Sequence, residues 1–375
     1  MPGRAGRMRI VIAPDSFKGT ADAASVARAI GEGWASRRPD DEVVLAPMAD
    51  GGEGTLDAFA AAIPGAQRVP VRVTGPDGRE VASAWLRLPD GRGVVELAST
   101  SGITLLDAAQ AGGGLRGLDA DTRGFGEAIR AALAAGVEAL VLGIGGSAST
   151  DGGAGMLAAL GAGLRRSDGT SIAPSARGLA ELAAADLSGM LPLPPGGASV
   201  ITDVTNPLLG PSGAAAVFGP QKGLDPEGIA VAEAGLARLA GLVARVDPAT
   251  PGAGAAGGTG FGLLAWGARL EPGAAAVAEV IGLPARVATA DLVIAGEGRY
   301  DAQSAGGKAP GHVLGLARDA GIPACLVAGR IDAGVEDWRQ SFALDALAGS
   351  AAAAMAEPLR WLREAGARLA AARPA

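Results

Sequence analysis

Short β-branched runs alternate with alanine-rich stretches of helical length at both ends of this 375-residue chain, and this alternation limits the possible folds most. The predicted elements are strands at 9–13, 43–45, 292–295 and 324–328 and helices at 22–34, 310–319, 333–339 and 355–372. Strands that alternate with helices pair in parallel and are covered by helices on both faces. The two ends of the chain therefore predict one doubly wound α/β domain.

The pattern changes near residue 68. The predicted elements of the middle segment are strands at 69–73, 81–88, 94–97, 139–143 and 200–202 and helices at 122–135, 152–165, 227–244 and 260–282. Gly-Pro-Asp-Gly and Pro-Asp-Gly-Arg-Gly join the first three strands and are hairpin turn signals. We therefore expect residues 1–69 and 286–375 to form one discontinuous domain and residues 70–285 to form a second, inserted α/β domain.

Composition excludes several classes of protein. Hydrophobic residues make up 49% and charged residues 19%, but no run of 18 uncharged apolar residues occurs, so we expect no membrane span. The net charge of −7 and the lack of a basic run argue against binding of nucleic acid. The single cysteine excludes an internal disulfide and favours a cytoplasmic protein. The single histidine excludes a zinc site built on several histidines.

Only three of the 32 basic residues are lysines, and each of them lies next to a glycine. They are Lys18, Lys222 and Lys308. A lysine is a compact point charge, whereas arginine is a planar fork, so the two are not equivalent beside a phosphate. These lysines are therefore candidates for phosphate contacts, the alternative being chance survival on the surface.

The densest motif runs from Gly143 to Gly155 between a predicted strand and a predicted helix. Its six glycines allow backbone N–H groups to turn toward an anion, and a helix N-terminus adds partial positive charge. The motif is neither the Walker pattern nor a clean dinucleotide fingerprint. The pattern favours phosphate binding, and the alternative is a tight turn with close packing of helix on strand.

Polar, glycine-rich segments also follow other predicted strands. They are Asp15–Lys18, Asp50–Glu53, Asp203–Gly210 and Gly296–Asp301. Ligands of doubly wound sheets bind at the carboxyl ends of the strands, which favours a site there. Asp203 ends its strand and is a candidate Mg²⁺ ligand or proton acceptor, the alternative being an Asx turn before Pro207.

Taken together and in order, these segments make the chain resemble the type I glycerate kinase family, from residue 8 to the C-terminus. The resemblance implies a flavodoxin-like domain interrupted by an inserted domain. It also implies ATP- and Mg²⁺-dependent phosphorylation of D-glycerate, with 2-phosphoglycerate as the usual product. The oligomeric state is left open, and an oligomer is possible.

Phosphoryl transfer needs positioning and neutralisation of charge more than covalent chemistry, and this guides the expected roles. We expect the nucleotide to be bound by Gly145, Gly146, Ser147, Asp151, Gly152, Gly153 and Lys308, with Lys222 assisting. Asp203 is the favoured Mg²⁺ ligand or base, and Asp301 and Glu297 are the alternatives. We expect the substrate to be bound by Ser16, Lys18, Asp50, Glu53 and Arg299.

Three alternatives stay open at this point. The chain is a kinase for another short hydroxy acid, a non-catalytic sensor of sugar acids on the same fold, or an oxidoreductase that binds NAD through the glycine-rich turn. The last is disfavoured because no acidic residue ends a following strand at the expected spacing of about 20 residues. Asp168, the nearest candidate, falls in a predicted loop.

Overall fold

The computed structural model describes residues 6–17, 19–106, 115–305 and 308–372. The chain divides into two compact units. The first unit comprises Met1–Asp50, Asp57–Pro64 and Gly273–Ala375, and the second comprises Gly51–Leu56 and Gly65–Pro272. The chain therefore passes between the units four times.

Strands are present in both units. In chain order they are β1 (Arg9–Pro14), β2 (Glu42–Leu45), β3 (Gln67–Thr74), β4 (Glu80–Arg87), β5 (Arg92–Glu96), β6 (Ala139–Gly143), β7 (Gly163–Arg165), β8 (Ala184–Asp186), β9 (Ala198–Ile201), β10 (Arg269–Glu271), β11 (Leu292–Tyr300), β12 (Ala324–Ile331) and β13 (Gln340–Ala343).

Helices separate most of these strands. In chain order they are α1 (Ala23–Ala35), α2 (Thr55–Ala62), α3 (Ala98–Ser101), α4 (Arg123–Ala134), α5 (Ala154–Ala159), α6 (Ala176–Leu179), α7 (Ala214–Phe218), α8 (Pro226–Leu242), α9 (Ala255–Trp266), α10 (Gly273–Val280), α11 (Leu283–Val287), α12 (Ala302–Ala305), α13 (Ala309–Asp319), α14 (Leu344–Ala348), α15 (Ala351–Ala356) and α16 (Pro358–Ala371). Single 3₁₀ turns lie at Ile103–Leu105 and Pro220–Lys222.

The sheet of the first unit is parallel throughout and has the order β13-β12-β11-β1-β2. Numbered within the unit, this is the order 2-1-3-4-5 of a flavodoxin-like doubly wound sheet. The prediction of an α/β fold with a doubly wound parallel sheet is confirmed. Strand order reverses between β1 and β11, because β1 leads on to β2 on one side and β11 leads on to β12 on the other.

Side chains that alternate along the central strands form the core of the first unit. Ile10 and Ile12 point to the face covered by α1 and α16, where they pack with Ile30 and Leu362. Asp22 caps α1, and its carboxylate accepts a hydrogen bond from the Ser25 N–H. The cap fixes where the helix begins and hence which of its faces is buried.

The second unit contains a six-stranded mixed sheet of order β10-β9-β6-β5-β4-β3. β3, β4 and β5 are antiparallel neighbours, as the hairpin turn signals predicted, and β5, β6, β9 and β10 are parallel. Trp85, Phe125 and Met156 are central to the core beside this sheet. The carboxyl ends of β5, β6 and β9 therefore lie together at one edge.

Some predicted elements were wrong, and glycine explains two of them. The helix predicted at 152–165 ends at Ala159, because Gly161 takes a left-handed conformation (φ 111°), and β7 follows. The helix predicted at 260–282 ends at Trp266 before left-handed Gly267 (φ 104°), which leads into β10. Both breaks come from backbone conformations that glycine adopts without steric cost.

Two further predictions near the C-terminus were wrong. The strand predicted at 292–295 continues to Tyr300, because β12 runs beside it as far as the pair Tyr300 and Ile331. Residues 296–300, predicted to form a polar segment after the strand, therefore belong to the strand itself. The helix predicted at 333–339 does not form, and those residues make bends and turns that lead into β13.

Among the residues that the structure describes, no helix combines the length and the apolar character needed to cross a membrane.

Packing of α1 on α16 generates a stability prediction. A Cβ at Gly366 would lie against the backbone carbonyl oxygen of Ile30, so we expect Gly366→Ala to destabilise the first unit by about 1–3 kcal/mol. Gly315 lies in α13 of the same unit with open space around its Cβ position. We expect the control Gly315→Ala to be neutral or stabilising by about 0.5–1 kcal/mol. Thermal unfolding followed by circular dichroism checks this, and equal midpoints for the two variants would contradict it.

Candidate active site

In the second unit, the segment Gly143–Gly155, here called the glycine loop, connects β6 to α5. Its backbone packs directly on the backbone of Gly51 and Gly52. The Gly145 N–H donates to the Gly51 carbonyl oxygen at 2.8 Å, and a Cβ at Gly143 would lie 2.7 Å from that same oxygen. Close backbone packing thus requires glycine at positions 143 and 145. The sequence favoured phosphate binding as the reason for these glycines and offered close packing only as the alternative.

The Asp50–Glu53 segment also packs closely, backbone on backbone, against the carboxyl end of β9. Gly51 is left-handed (φ 84°), and a Cβ there would lie 2.5 Å from the carbonyl oxygen of Ile201 at the end of β9. Glu53 is exposed and belongs to the second unit, whereas Asp50 is half-buried and belongs to the first. The two acids of this motif, predicted to bind substrate, therefore lie in different environments.

Residues 101–103 brace the first half of the glycine loop. The Ile103 N–H donates to Gly146 O at 2.8 Å, and the Ala148 N–H donates to Ser101 O at 3.1 Å. The side-chain oxygen Oγ1 of Thr150 is buried without a hydrogen-bond partner in the described part of the chain. A buried hydroxyl without a partner is costly, so this atom is a candidate for contact with a ligand.

Lys222 lies beneath the glycine loop. Its side chain is 3% exposed, and Nζ donates to Ser147 Oγ at 2.7 Å and to the carbonyl oxygen of Ser149. Burial in this low-dielectric surrounding lowers the pKa of Lys222 to about 7, and the charge of Asp151 acts in the opposite direction. The amine predicted to assist the nucleotide is thus bound to the loop itself.

Asp151 is fully buried, and its carboxylate is hydrogen-bonded within the unit. Gly152 and Gly153, both left-handed (φ 65° and 78°), carry the chain from Asp151 into α5. Asp121 lies nearby, and burial raises its pKa to about 7, with the charge of Asp151 adding to that effect. The buried carboxylate of Asp151 is therefore satisfied by hydrogen bonds, and its charge adds to the raised pKa of Asp121.

Asp203 lies two residues after β9, whose last residue Ile201 pairs with Gly143. The carboxylate is exposed and stands at the same sheet edge as the start of the glycine loop. No group of three or more potential metal-ligating side chains occurs within the described ranges. Mg²⁺ at phosphate-transfer sites is held by one or two carboxylates together with the phosphates and water, so Asp203 fits such a role without a protein cage.

Glu96 was missed by sequence reasoning. It ends β5 beside Gly143, is 4% exposed, and Oε2 accepts a hydrogen bond from the Leu56 N–H at 3.0 Å. The sequence feature that could have identified Glu96 is an acidic residue at the end of an apolar strand, the feature that singled out Asp203. It was hidden because the strand was predicted to extend through residue 97.

In the first unit, the carboxyl ends of β1 and β11 form the point where strand order reverses. The Asp15 N–H donates to Gly296 O at 2.8 Å, which joins the turn after β1 to β11. The Ser16 N–H donates to Asp15 Oδ1 at 2.7 Å. Crevices at such reversal points are the usual ligand sites of doubly wound sheets.

Glu297 lies on β11 at this reversal point. It is 7% exposed, and its Oε1 atom is buried without a hydrogen-bond partner among the described residues. Burial raises the pKa of Glu297 to about 7; Ser304 and Lys308 lower it, and Asp15 and Asp301 raise it further. The structure thus brings Asp15, Glu297 and Asp301 close enough together for their charges to raise the pKa of Glu297.

The residues after β11 support this group. Asp301 Oδ1 accepts hydrogen bonds from the N–H and Oγ of Ser304 at 3.2 and 3.3 Å, at the start of α12. Lys308 is exposed and precedes α13. Lys308 therefore lies in the first unit, whereas the other predicted nucleotide-binding residues lie in the second.

Arg299, predicted to bind the substrate carboxylate, is exposed and held by an ion pair. Its Nε lies 2.7 Å from Oδ2 of Asp332, and the Nε of Arg330 lies 2.7 Å from Oδ1 of the same carboxylate. The hydrogen bond from Arg330 holds the pKa of Asp332 below its usual value. Arg330 and Asp332 were missed because pairing of β11 with β12 brings them to Arg299. Lys18 lies outside the described residues.

A sequence profile described as the glycerate kinase family matches residues 10–373. The chain is also 42% identical over 331 residues to the glycerate kinase of Bacillus subtilis (strain 168), an alignment that covers 86% of this chain and 85% of that protein. The chain belongs to the glycerate kinase family.

Two further proteins named as glycerate kinases are similar to this family member in sequence or structure. The glycerate 2-kinase of Escherichia coli (strain K12) is 42% identical over 337 residues, which cover 88% of this chain and 87% of that protein. A crystal structure described as a candidate glycerate kinase 2 from Salmonella typhimurium LT2 matches with a TM-score of 0.84 and 40% identity over 98% of both chains. The expectations of a kinase and of this family are confirmed.

The shifted carboxyl of Glu297 predicts a pH dependence of stability. A carboxyl whose pKa is higher in the folded state than in the unfolded state stabilises the fold below about pH 4.5, and this stability is lost as the pH rises through about 7. We therefore expect the wild type to lose stability relative to Glu297→Gln between pH 5 and pH 8.

Urea unfolding of the two proteins at both pH values measures this. Glu336→Gln at an exposed position of the same unit is the control, and it should follow the wild type. A difference between wild type and Glu297→Gln that does not change with pH would contradict the assignment.

Proposed function

We propose that this protein transfers the γ-phosphoryl group of ATP to D-glycerate and forms 2-phospho-D-glycerate. The family assignment and the name of the Escherichia coli relative, glycerate 2-kinase, support this substrate and product. The structural observation that carries the proposal is the buried, unpartnered carboxyl oxygen of Glu297 at the point of strand reversal. Such a group suits acceptance of a proton from a substrate hydroxyl.

The first unit is proposed to bind glycerate. Glu297 takes the hydroxyl proton, because a pKa near 7 leaves it able to hold and release a proton close to neutral pH. Ser16 lies at the carboxyl end of β1 and offers a hydroxyl to the substrate. Arg299 and Arg330 share the single charge of Asp332 and thus keep a net positive charge for a carboxylate.

The second unit is proposed to bind the nucleotide phosphates. The glycine loop supplies backbone N–H groups, and the buried Thr150 hydroxyl supplies a donor that lacks a protein partner in the described part of the chain. Lys222 fixes Ser147 and Ser149, and in its protonated form it places a positive charge beneath the loop. Fixed donors of this kind stabilise transferred phosphoryl oxygens without reorganising during the reaction.

A magnesium ion is proposed to be held by Asp203 together with the phosphates. When bound, Mg²⁺ neutralises charge on the phosphate oxygens. The exposed carboxylate of Asp203 at the end of β9 suits this role. Asp203 would then position the phosphates without acting on the hydroxyl.

Phosphorus NMR with ATP, Mg²⁺ and D-glycerate tests the function and the product together. We expect ADP and the resonance of 2-phosphoglycerate to appear at the same rate. The resonance of 3-phosphoglycerate would overturn the proposed position of transfer. Reaction only with tartronate or hydroxypyruvate would show a kinase of another acid, and binding of glycerate without ADP release would show a sensor.

Replacement of Asp203 tests its role. We expect Asp203→Ala to lower kcat by about 100-fold, because the variant loses a ligand that orients the phosphates. The Kd for ATP without Mg²⁺ should change by less than about threefold, since metal-free binding does not use this carboxylate. The control Asp168→Ala, at an exposed position of the same unit, should keep wild-type kcat. Normal turnover of Asp203→Ala would remove Asp203 from the role.

A further inference from the structure

The carboxylate of Asp151 is saturated by donors of its own unit. Oδ1 accepts from Ser149 Oγ at 2.9 Å and from the Gly153 N–H at 3.2 Å. Oδ2 accepts from the N–H and Oγ1 of Thr122 at 3.0 and 2.7 Å and from the Gly155 N–H at 3.0 Å. Five donors leave a buried carboxylate no capacity for a nucleotide, and a negative charge there would repel phosphate.

Thr122 links Asp151 to the start of α5. Its single hydroxyl proton is donated to Asp151, and its oxygen accepts a hydrogen bond from the Met156 N–H at 3.0 Å. Thr122 is fully buried, so these contacts fix its rotamer. The N–H groups of Gly155 and Met156 in the first turn of α5 are thereby used within the protein, and they are not open to an anion.

The same network reaches the other side of the glycine loop through Ser149. Ser149 Oγ donates to Asp151, while its carbonyl oxygen accepts from Lys222 Nζ. Gly257 packs on this point in a left-handed conformation (φ 66°), and a Cβ there would lie 2.8 Å from Nζ. Ser149 is therefore bound between a buried carboxylate and a buried amine, both fixed by neighbours.

We propose that Thr122 is a positioning residue for the nucleotide: its hydroxyl fixes Asp151, and through Asp151 it fixes the conformation of Ser149 and Thr150 in the glycine loop. Asp151 acts in the same way and does not contact the nucleotide. This inference rests on the proposed function, because it assumes that the glycine loop binds ATP. Thr122 lies 29 residues before Asp151 and outside every motif of the sequence analysis.

Two substitutions at residue 122 separate positioning from packing. Thr122→Val keeps the shape and removes the hydroxyl, whereas Thr122→Ser keeps the hydroxyl and removes a methyl group. We expect Thr122→Val to raise KM and Kd for ATP about tenfold, equivalent to about 1.4 kcal/mol, with KM for D-glycerate changed less than twofold. Thr122→Ser should stay within about twofold of wild type for both substrates.

The outcomes are distinguishable. Equal ATP affinity in the Val and Ser variants, even with a lowered thermal midpoint for Val, would reduce Thr122 to a packing role and overturn the inference while leaving the proposed function intact. Wild-type protein that neither binds ATP nor phosphorylates glycerate would overturn both.

If Thr122→Val fails to fold, Ser149→Ala tests the same network from the other side of Asp151. This variant removes one donor to Asp151 and leaves Thr122, Lys222 and the Ser149 carbonyl in place. We expect its Kd for ATP to rise about threefold to tenfold, with KM for D-glycerate unchanged. An unchanged Kd for ATP would overturn the inference.

Discussion

Direct contact of backbone on backbone at the end of β6 is the constraint on which the second unit's site depends. Gly51 and Gly52 lie against Gly143 and Gly145, and no side chain fits between these segments. The contact fixes where the glycine loop leaves the sheet. It also explains why glycine is needed at positions whose N–H groups do not face a ligand: the Gly145 N–H is already bound to Gly51 O. A glycine in such a loop can therefore serve close packing or the exposure of backbone donors. The number of glycines does not show which of the two applies at a given position.

Each unit buries an ionisable group with a strongly shifted pKa near the carboxyl edge of its sheet. Lys222 is held by Ser147 and Ser149 beneath the loop, and Glu297 lies at the reversal between β1 and β11. Burial disfavours the charged form of both, so the pKa of the amine falls to about 7 and the pKa of the carboxyl rises to about 7. The physical consequences differ: the amine has hydrogen-bond acceptors in the loop, while one carboxyl oxygen of Glu297 has no hydrogen-bond partner in the described part of the chain. Perturbed groups of this kind concentrate at functional sites.

Local signals in the sequence predicted the parallel sheet of the first unit because they are complete within a few residues. The capping hydrogen bond of α1 joins Asp22 to Ser25, only three residues later, and the apolar runs that form β1 and β12 are bounded by turn residues. The site could be predicted only as a set of motifs, since the contacts that give each residue its role are distant in sequence. Glu96 meets Leu56 across 40 residues, and Lys222 meets Ser147 across 75. A single sequence shows which residue types are present but not which of them are buried together.

The arrangement of α5 changes the physical account of how such a loop recognises phosphate. The sequence suggested a helix N-terminus pointing at the anion, but α5 has only six residues, fewer than two turns, and the N–H groups of Gly155 and Met156 are bound to Asp151 and Thr122. A short helix has little dipole to offer, and a carboxylate at its start offsets what remains. Under the proposed function, phosphate recognition depends on donors that precede Asp151 in the loop, and these are held in place by one buried carboxylate and one buried amine. In this loop, the buried charged groups Asp151 and Lys222 hold the geometry, and under the proposed function neutral donors would contact the phosphates.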